Sequence, residues 1–505
     1  MTRRRRTVIF GMLFGYSSIL IGLARNVLFV PIYLQSISLP EYGAWLATGG
    51  ALALLLVNDF GLAGVVTQKI SAALGGGDLA KLGSLAGSAF GIGIVMAAGL
   101  TALTLLFVPF LPGLQTLGDV QQHAVVQCFV IAVAANAAGV IGATGISVIR
   151  SLQNPVAAGC IVLAADIANV GVTLIGLFRG AGLYAIAGGM AVRAAILALA
   201  APLAVAIICT RELHIRIRLS WPSVRELLGD SSRFFLSGVA MKVQAQANVF
   251  FVNAILGPTS AAIYSLTVRA HETVLMLLGQ INTALAPSVT HLFGSGNALR
   301  FRAVLLRLLL TLAAFTGFAL SLTIVLNSGF LKLWVGHMAF AGQEVSILMG
   351  FALFVSSIGY VAYDALVAQG KFKFVANAFI VTSLLQVVVL WSCLDRGMWV
   401  APTATLVAAV VWGVLFWRRV GADIGVTAAE STGLLGELAR MTAVSAVTIA
   451  GFLRFYPPAA TWLALIAEAL LCAAVLACGY LAMSQKMRLI IREEIGVTLR
   501  ALRPT

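Results

Sequence analysis

The pentapeptide Asn26-Val27-Leu28-Phe29-Val30 returns as Asn248-Val249-Phe250-Phe251-Val252, at an offset of 222 residues. Each copy lies in a long apolar run, at 8-35 and at 233-256, and the register holds outward from both. Leu34 maps onto Leu256, and Tyr42 onto Tyr264, each tyrosine opening the next apolar run. Further on, Arg179-Gly180 is matched by Arg396-Gly397 at an offset of 217. Self-similarity at that period, across several apolar runs, predicts that the second half of the chain reuses the architecture of the first.

The runs themselves set the fold class. With 60% apolar and 10% charged residues and a mean hydropathy of +1.01 over 505 residues, the composition excludes an ordinary soluble protein. About fourteen runs are long enough to cross a hydrocarbon core of about 30 Å as helices. They fall at 8-35, 42-65, 83-108, 123-149, 155-178, 181-209, 233-256, 261-288, 303-328, 345-367, 374-394, 398-417, 441-457 and 461-483. The expected fold is an all-α polytopic membrane protein with two six-helix bundles and two C-terminal helices outside the repeat. The corresponding boundaries are 1-210, a cytoplasmic linker at 211-232, 233-420, and 421-505 with a basic tail.

A net charge of +15 could suggest nucleic acid. The cations are instead distributed by loop: roughly 25 of them fall in alternate connections and 4 in the intervening ones, Arg179, Lys332, Arg396 and Arg454. That asymmetry predicts an even number of spans with both termini in the cytoplasm. Arg3 to Arg6 before an apolar run imitate a signal peptide, but the run continues well past Gly22-Leu23-Ala24. Because each half then begins on the same side, the repeat is parallel and its pseudo-axis runs along the membrane normal, an arrangement suited to alternating access. The six cysteines sit within spans without metal spacing, and no two of the five histidines have ligand spacing, so neither a metal nor another cofactor is expected.

Four cations interrupt the apolar runs: Arg25, Arg193, Lys242 and Arg269. Each costs roughly 2.5 to 3.5 kcal/mol near the bilayer centre, so their presence points to an anionic cargo. Arg25 precedes the repeated Asn26, and Pro31 downstream loosens the same helix by removing a backbone donor. Lys242 occupies the equivalent helix of the second half, beside Asn248. Arg25, Lys242, Arg269, Asn26 and Asn248 are therefore the candidate cargo-binding residues. Arg269 and Glu272 share a helix face at i, i+3, and His271 lies between them. Asp166 and Arg193, near the midplane of adjacent spans, are expected to form a structural ion pair. Asp166, Glu272 and Asp364 are the carboxylates available to couple transport to a Na⁺ or H⁺ gradient or to the membrane potential.

The chain resembles the polysaccharide flippases of the O-antigen and exopolysaccharide type, within the multidrug/oligosaccharidyl-lipid/polysaccharide exporter superfamily. The resemblance rests on Pro40-Glu41-Tyr42-Gly43-Ala44-Trp45, Asn58-Asp59-Phe60-Gly61-Leu62, and the central stretch through Trp221 and Leu227-Leu228 to Ser231-Ser232-Arg233-Phe234-Phe235. Ile263-Tyr264, Ala286-Pro287, residues 330–336 and residues 369–373 extend it over about the first 420 residues. It implies a flippase moving an undecaprenyl-pyrophosphate-linked oligosaccharide from the cytoplasmic to the periplasmic leaflet of the bacterial inner membrane. Its partners would be that lipid-linked oligosaccharide, membrane lipids and polysaccharide polymerase machinery, with no nucleic acid. The related lipid II flippases and the multidrug and cation antiporters of the superfamily are the alternatives. The absence of an acidic residue from the first span argues against the antiporters. The short external connections offer no catalytic cluster, so an enzyme is not expected.

Overall fold

In the computed structural model, which describes residues 17, 21–22, 28–55, 62–106, 108–110, 119–294, 298–336 and 339–483, the apolar runs are helices. No strand is present among the described residues. In chain order the helices are α1 (Leu39–Leu55), α2 (Leu62–Gly75), α3 (Leu79–Leu105), α4 (Asp119–Ser151), α5 (Pro155–Phe178), α6 (Leu183–Ile207) and α7 (Trp221–Leu256). They continue with α8 (Pro258–Gly294), α9 (Ala298–Trp334), α10 (Gln343–Ala368), α11 (Phe372–Cys393), α12 (Val400–Ile424), α13 (Ala428–Phe455) and α14 (Trp462–Met483). Eleven helical segments among the described residues are long and apolar enough to span a bilayer. The expected span at 8-35 lies largely outside the described residues, and the one at 42-65 is described only in α1 up to Leu55 and in α2 from Leu62.

Local chemistry explains many of the ends. Asn154 accepts from the Ala157 amide at 3.1 Å, with Pro155 in the first turn of α5. Thr427 and Glu430 form a reciprocal capping box at the start of α13. Ser38 and Glu41 do the same work at α1: the Glu41 carboxylate accepts from the Ser38 amide at 3.0 Å and from its hydroxyl at 2.8 Å. The motif starting at Pro40 is thus a helix start. Its Gly43 marks a close approach, because a Cβ there would collide with the Pro258 carbonyl.

The chain divides into two compact units, Met1–Ala262 and Ile263–Thr505. In the first, α6 packs on α4 and α5, and α3 on α4. In the second, α12 packs on α10 and α11, and α9 on α10. The same order of partners recurs, and α13 and α14 add a further layer on α9.

The junction differs from the expected linker at 211-232. Helix α7 already begins at Trp221 and packs on α1, α2 and α3 within the first unit. Before it, residues 214–219 form an extended strap along α3, with Ile215 buried and Arg216 and Arg218 exposed. The strap follows a glycine stripe, Gly83, Gly87 and Gly91, at i, i+4 and i+8 on one face. A Cβ on Gly83 would collide with the Arg216 carbonyl, and one on Gly87 with that of Arg218. The Arg218 amide donates to the Gly83 carbonyl at 3.2 Å, and Ser88 exchanges two 3.0 Å hydrogen bonds with the Ser220 backbone. Beyond the strap, Glu226 pairs with Lys69 at 3.0 Å and Lys81 at 3.5 Å. In the second unit Arg302 pairs with Glu430 and donates to the Gly425 carbonyl at 2.7 Å, while Lys371 pairs with Asp423. Within each unit, loops that the charge pattern places on one side do meet.

Candidate functional site

Arg25 and Asn26 lie outside the described residues. The other cations of the first unit differ in their surroundings. Arg193 of α6 donates from Nε to Asp166 Oδ1 of α5 at 2.6 Å, with the arginine side chain 38% exposed and that of the aspartate 13% exposed. Lys242 of α7 is exposed, with no carboxylate within 4.0 Å among the described residues. Asn248, two turns on, is buried and has bonding partners of its own.

In the second unit, Arg269 and Glu272 share a face of α8, yet no ion pair within 4.0 Å joins them among the described residues. The Arg269 Nε is buried without a hydrogen-bond partner, while Glu272 is exposed. A shared face brings the Cβ atoms together without locking the charged ends into a salt bridge, and the Arg269 charge still acts on Glu272 across that face. His271 points the other way, into a fully buried polar knot that single-helix spacing could not reveal. Its Nε2 lies 3.3 Å from Ser346 Oγ of α10, and Asn327 of α9 donates to the same hydroxyl at 3.1 Å. Asn327 also donates to the Thr267 carbonyl at 2.9 Å. The knot ties α8, α9 and α10 together, and buried polar groups so connected specify one helix register. Its only sequence signal is a set of lone polar residues in otherwise apolar runs.

Asp364 sits near the end of α10, half-buried, with no Lys, Arg or His within 4.0 Å among the described residues. Its neighbours are tyrosines: it lies close enough to Tyr360 and Tyr363 to act on both phenols electrostatically. Their rings meet edge-on at 6.2 Å, and Tyr360 leans on Trp412 of α12 at 5.3 Å. Trp412 in turn lies where a Cβ on Gly359 would stand. A carboxylate near two phenol groups offers a cation a charge together with oxygen donors.

The second unit also holds an apolar cavity of about 430 Å³ between α9, α10, α13 and α14. Leu320, Ile324, Phe351, Phe354, Ile449 and Leu453 dominate its wall. The polar groups that reach it are bonded within the protein: Ser321 donates to the Gly317 carbonyl at 2.6 Å, and Ser445 and Tyr480 join their hydroxyls at 2.8 Å. A surface of this kind solvates hydrocarbon and offers nothing to a polar ligand.

No group of three His, Cys, Asp or Glu residues able to hold a metal ion occurs among the described residues. No family model matches the sequence, and no curated protein matches it. Solved structures do. One is described as the lipid II flippase MurJ in an inward closed conformation: 15% identity, 94% of this chain and 99% of that chain covered, TM-score 0.66. A second is the inward-facing conformation of a multidrug resistance MATE family transporter of the MOP superfamily, at 14% identity, 81% and 96% coverage and TM-score 0.64. A third is a MOP superfamily transporter from Pyrococcus furiosus described as having a binding pocket of reverse polarity, at 15% identity, 84% and 96% coverage and TM-score 0.58. The chain thus shares the fold of MOP superfamily transporters.

Proposed function

We propose that this protein is a flippase that carries a polyprenyl-diphosphate-linked glycan from the cytoplasmic to the periplasmic leaflet of a bacterial inner membrane by alternating access. The observation that carries the reading is the apolar cavity beside α13 and α14 in a chain whose spans also hold Lys242, with no carboxylate within 4.0 Å among the described residues, and Arg269, whose Nε is buried without a hydrogen-bond partner. The two environments suit the two ends of an amphiphile with a hydrocarbon tail and an anionic head. A fourteen-span chain of two parallel six-helix bundles plus two helices, with both termini cytoplasmic, completes the architecture.

For the head group, the flippase fold supports lipid II. The likeness to the MurJ structure runs over 94% of this chain, whereas the MATE structure is matched by 81% of it. The sequence motifs of the first 420 residues support an oligosaccharide destined for cell-surface polysaccharide, handed on to polymerase machinery. Reconstituted vesicles decide between them. Protein-dependent loss of inner-leaflet lipid II, with no movement of an undecaprenyl-diphosphate oligosaccharide, supports the first, and the converse the second. Movement of neither overturns the flippase reading. Within it, Arg25, Asn26, Lys242, Asn248 and Arg269 face the diphosphate. Asp364 with Tyr360 and Tyr363, and Glu272, are the places for a coupling Na⁺ or H⁺. Charge removal at both Arg25 and Arg269 should abolish export while insertion and accumulation stay normal.

A further inference from the structure

Helix α6 shows which of its sides faces lipid. Leu199 is 74% exposed, Leu203 62% and Ile207 40%, a stripe at four-residue spacing that Ala195 continues. Two other sides are occupied. A Cβ on Gly142 of α4 would lie 2.6 Å from Leu197 Cβ, and one on Gly189 would lie 2.8 Å from Asn169 Oδ1 of α5. Arg193 stands four residues from both Gly189 and Leu197, so it falls between the side packed on α5 and the side packed on α4. At about 100° per residue it points about 120–160° away from Ala195 and Leu199. A side chain so placed is ordinarily closed off, yet that of Arg193 is 38% exposed. Its exposure therefore lies away from the side of α6 that carries Ala195 and Leu199.

Asp166 occupies one of the five N–H groups of this guanidinium, through Nε at 2.6 Å. No other acceptor meets Arg193 among the described residues, so both Nη groups are open. One turn along α5, the Nδ2 of Asn169, itself 3% exposed, is buried with no partner. The seam thus presents three unfilled donor nitrogens, and its one carboxylate is already engaged. Such a set suits an oxyanion, which a planar fork grips through two oxygens.

We infer that Arg193, oriented by Asp166, is an oxyanion-binding residue for the transported substrate, with Asp166 as its positioning residue. The inference rests on the flippase reading only in that the cargo carries the anion. A diphosphate linkage and an acidic sugar share this chemistry.

The test uses the full-length protein in detergent, with binding of inorganic pyrophosphate and of glucuronate read by thermal shift. Arg193→Gln alone strands the Asp166 charge, so the decisive variant is the neutral pair Asp166→Asn, Arg193→Gln. It should melt as the wild type does without ligand and bind roughly tenfold more weakly. Arg193→Lys keeps Asp166 neutralised but engages its single ammonium there, and should lose affinity similarly. Loss confined to pyrophosphate identifies the diphosphate as the source, and loss confined to glucuronate identifies the sugar acid. Wild-type binding by the neutral pair, or by Arg193→Lys should the pair fail to fold, overturns the role of Arg193 alone. If the wild type binds neither probe while Lys242→Gln is equally inert, the anionic-cargo reading falls with it.

Discussion

Glu226 illustrates what a single side chain contributes where water reaches it. The hydrogen bond from Lys69, reinforced by the charges of Lys69 and Lys81, holds its carboxyl below the ordinary 4.5. A depressed carboxylate contributes stability that is full above the unfolded value and lost as pH falls through the folded one. Glu226→Gln should therefore lower the melting temperature slightly at pH 7, by under about 1 kcal/mol for so exposed a pair. The gap between variant and wild type should close below pH 4.5. A gap that persists at low pH would assign the effect to packing. At Asp364 the expectation concerns transport. Asp364→Asn should remove the dependence on an imposed Na⁺ or H⁺ gradient in vesicles, and gradient-driven movement equal to wild type would clear the residue of coupling. Asp166 and Arg193 were legible as partners because adjacent spans must bring midplane charges together. Arg269 and Glu272 were legible only as neighbours, because spacing along one helix places Cβ atoms and not charged ends.

At the scale of elements, the strap over α3 depends on the absence of side chains at Gly83 and Gly87. Gly87→Val should force residues 216–218 off the helix and destabilise the protein by about 1–3 kcal/mol. Gly99→Val, on the same helix but with nothing within 4 Å of its Cβ, is the control and should change little. Equal melting temperatures for the two variants would show that the strap is not held by this contact. The apolar run at 233-256 marked the start of the seventh span but not of its helix. Trp221-Pro222 is a sound helix start, and Val224 and Leu227 bury themselves in the cluster that holds Leu82 and Leu85. A run of apolar residues reports the bilayer thickness, whereas a helix continues as long as its backbone bonds and one buried face permit.

For the whole molecule, the cavity beside α13 and α14 is the feature with the plainest consequence. Ala446→Phe should fill part of its 430 Å³ and slow a long-chain lipid-linked substrate more than a short-chain analogue. Equal slowing of both would remove the cavity from the tail's path. Fluorescent reporters fused to the two termini should both be quenched from the cytoplasmic side. Composition and run length determined that this is a polytopic helical membrane protein, and the 222-residue repeat and the charges of alternate loops set the expectation of a recurring half. Those properties are local or additive: each span must satisfy its own backbone in lipid, and loop charge acts on each loop separately. Tertiary structure alone decided that Arg193 is engaged at one nitrogen and that Lys242 has no carboxylate within 4.0 Å among the described residues, that His271 enters a knot with Asn327 and Ser346, and that α13 and α14 leave hydrocarbon space against α9 and α10. These depend on the rotation and separation of helices distant in sequence, which side-chain packing sets and one-dimensional spacing does not contain.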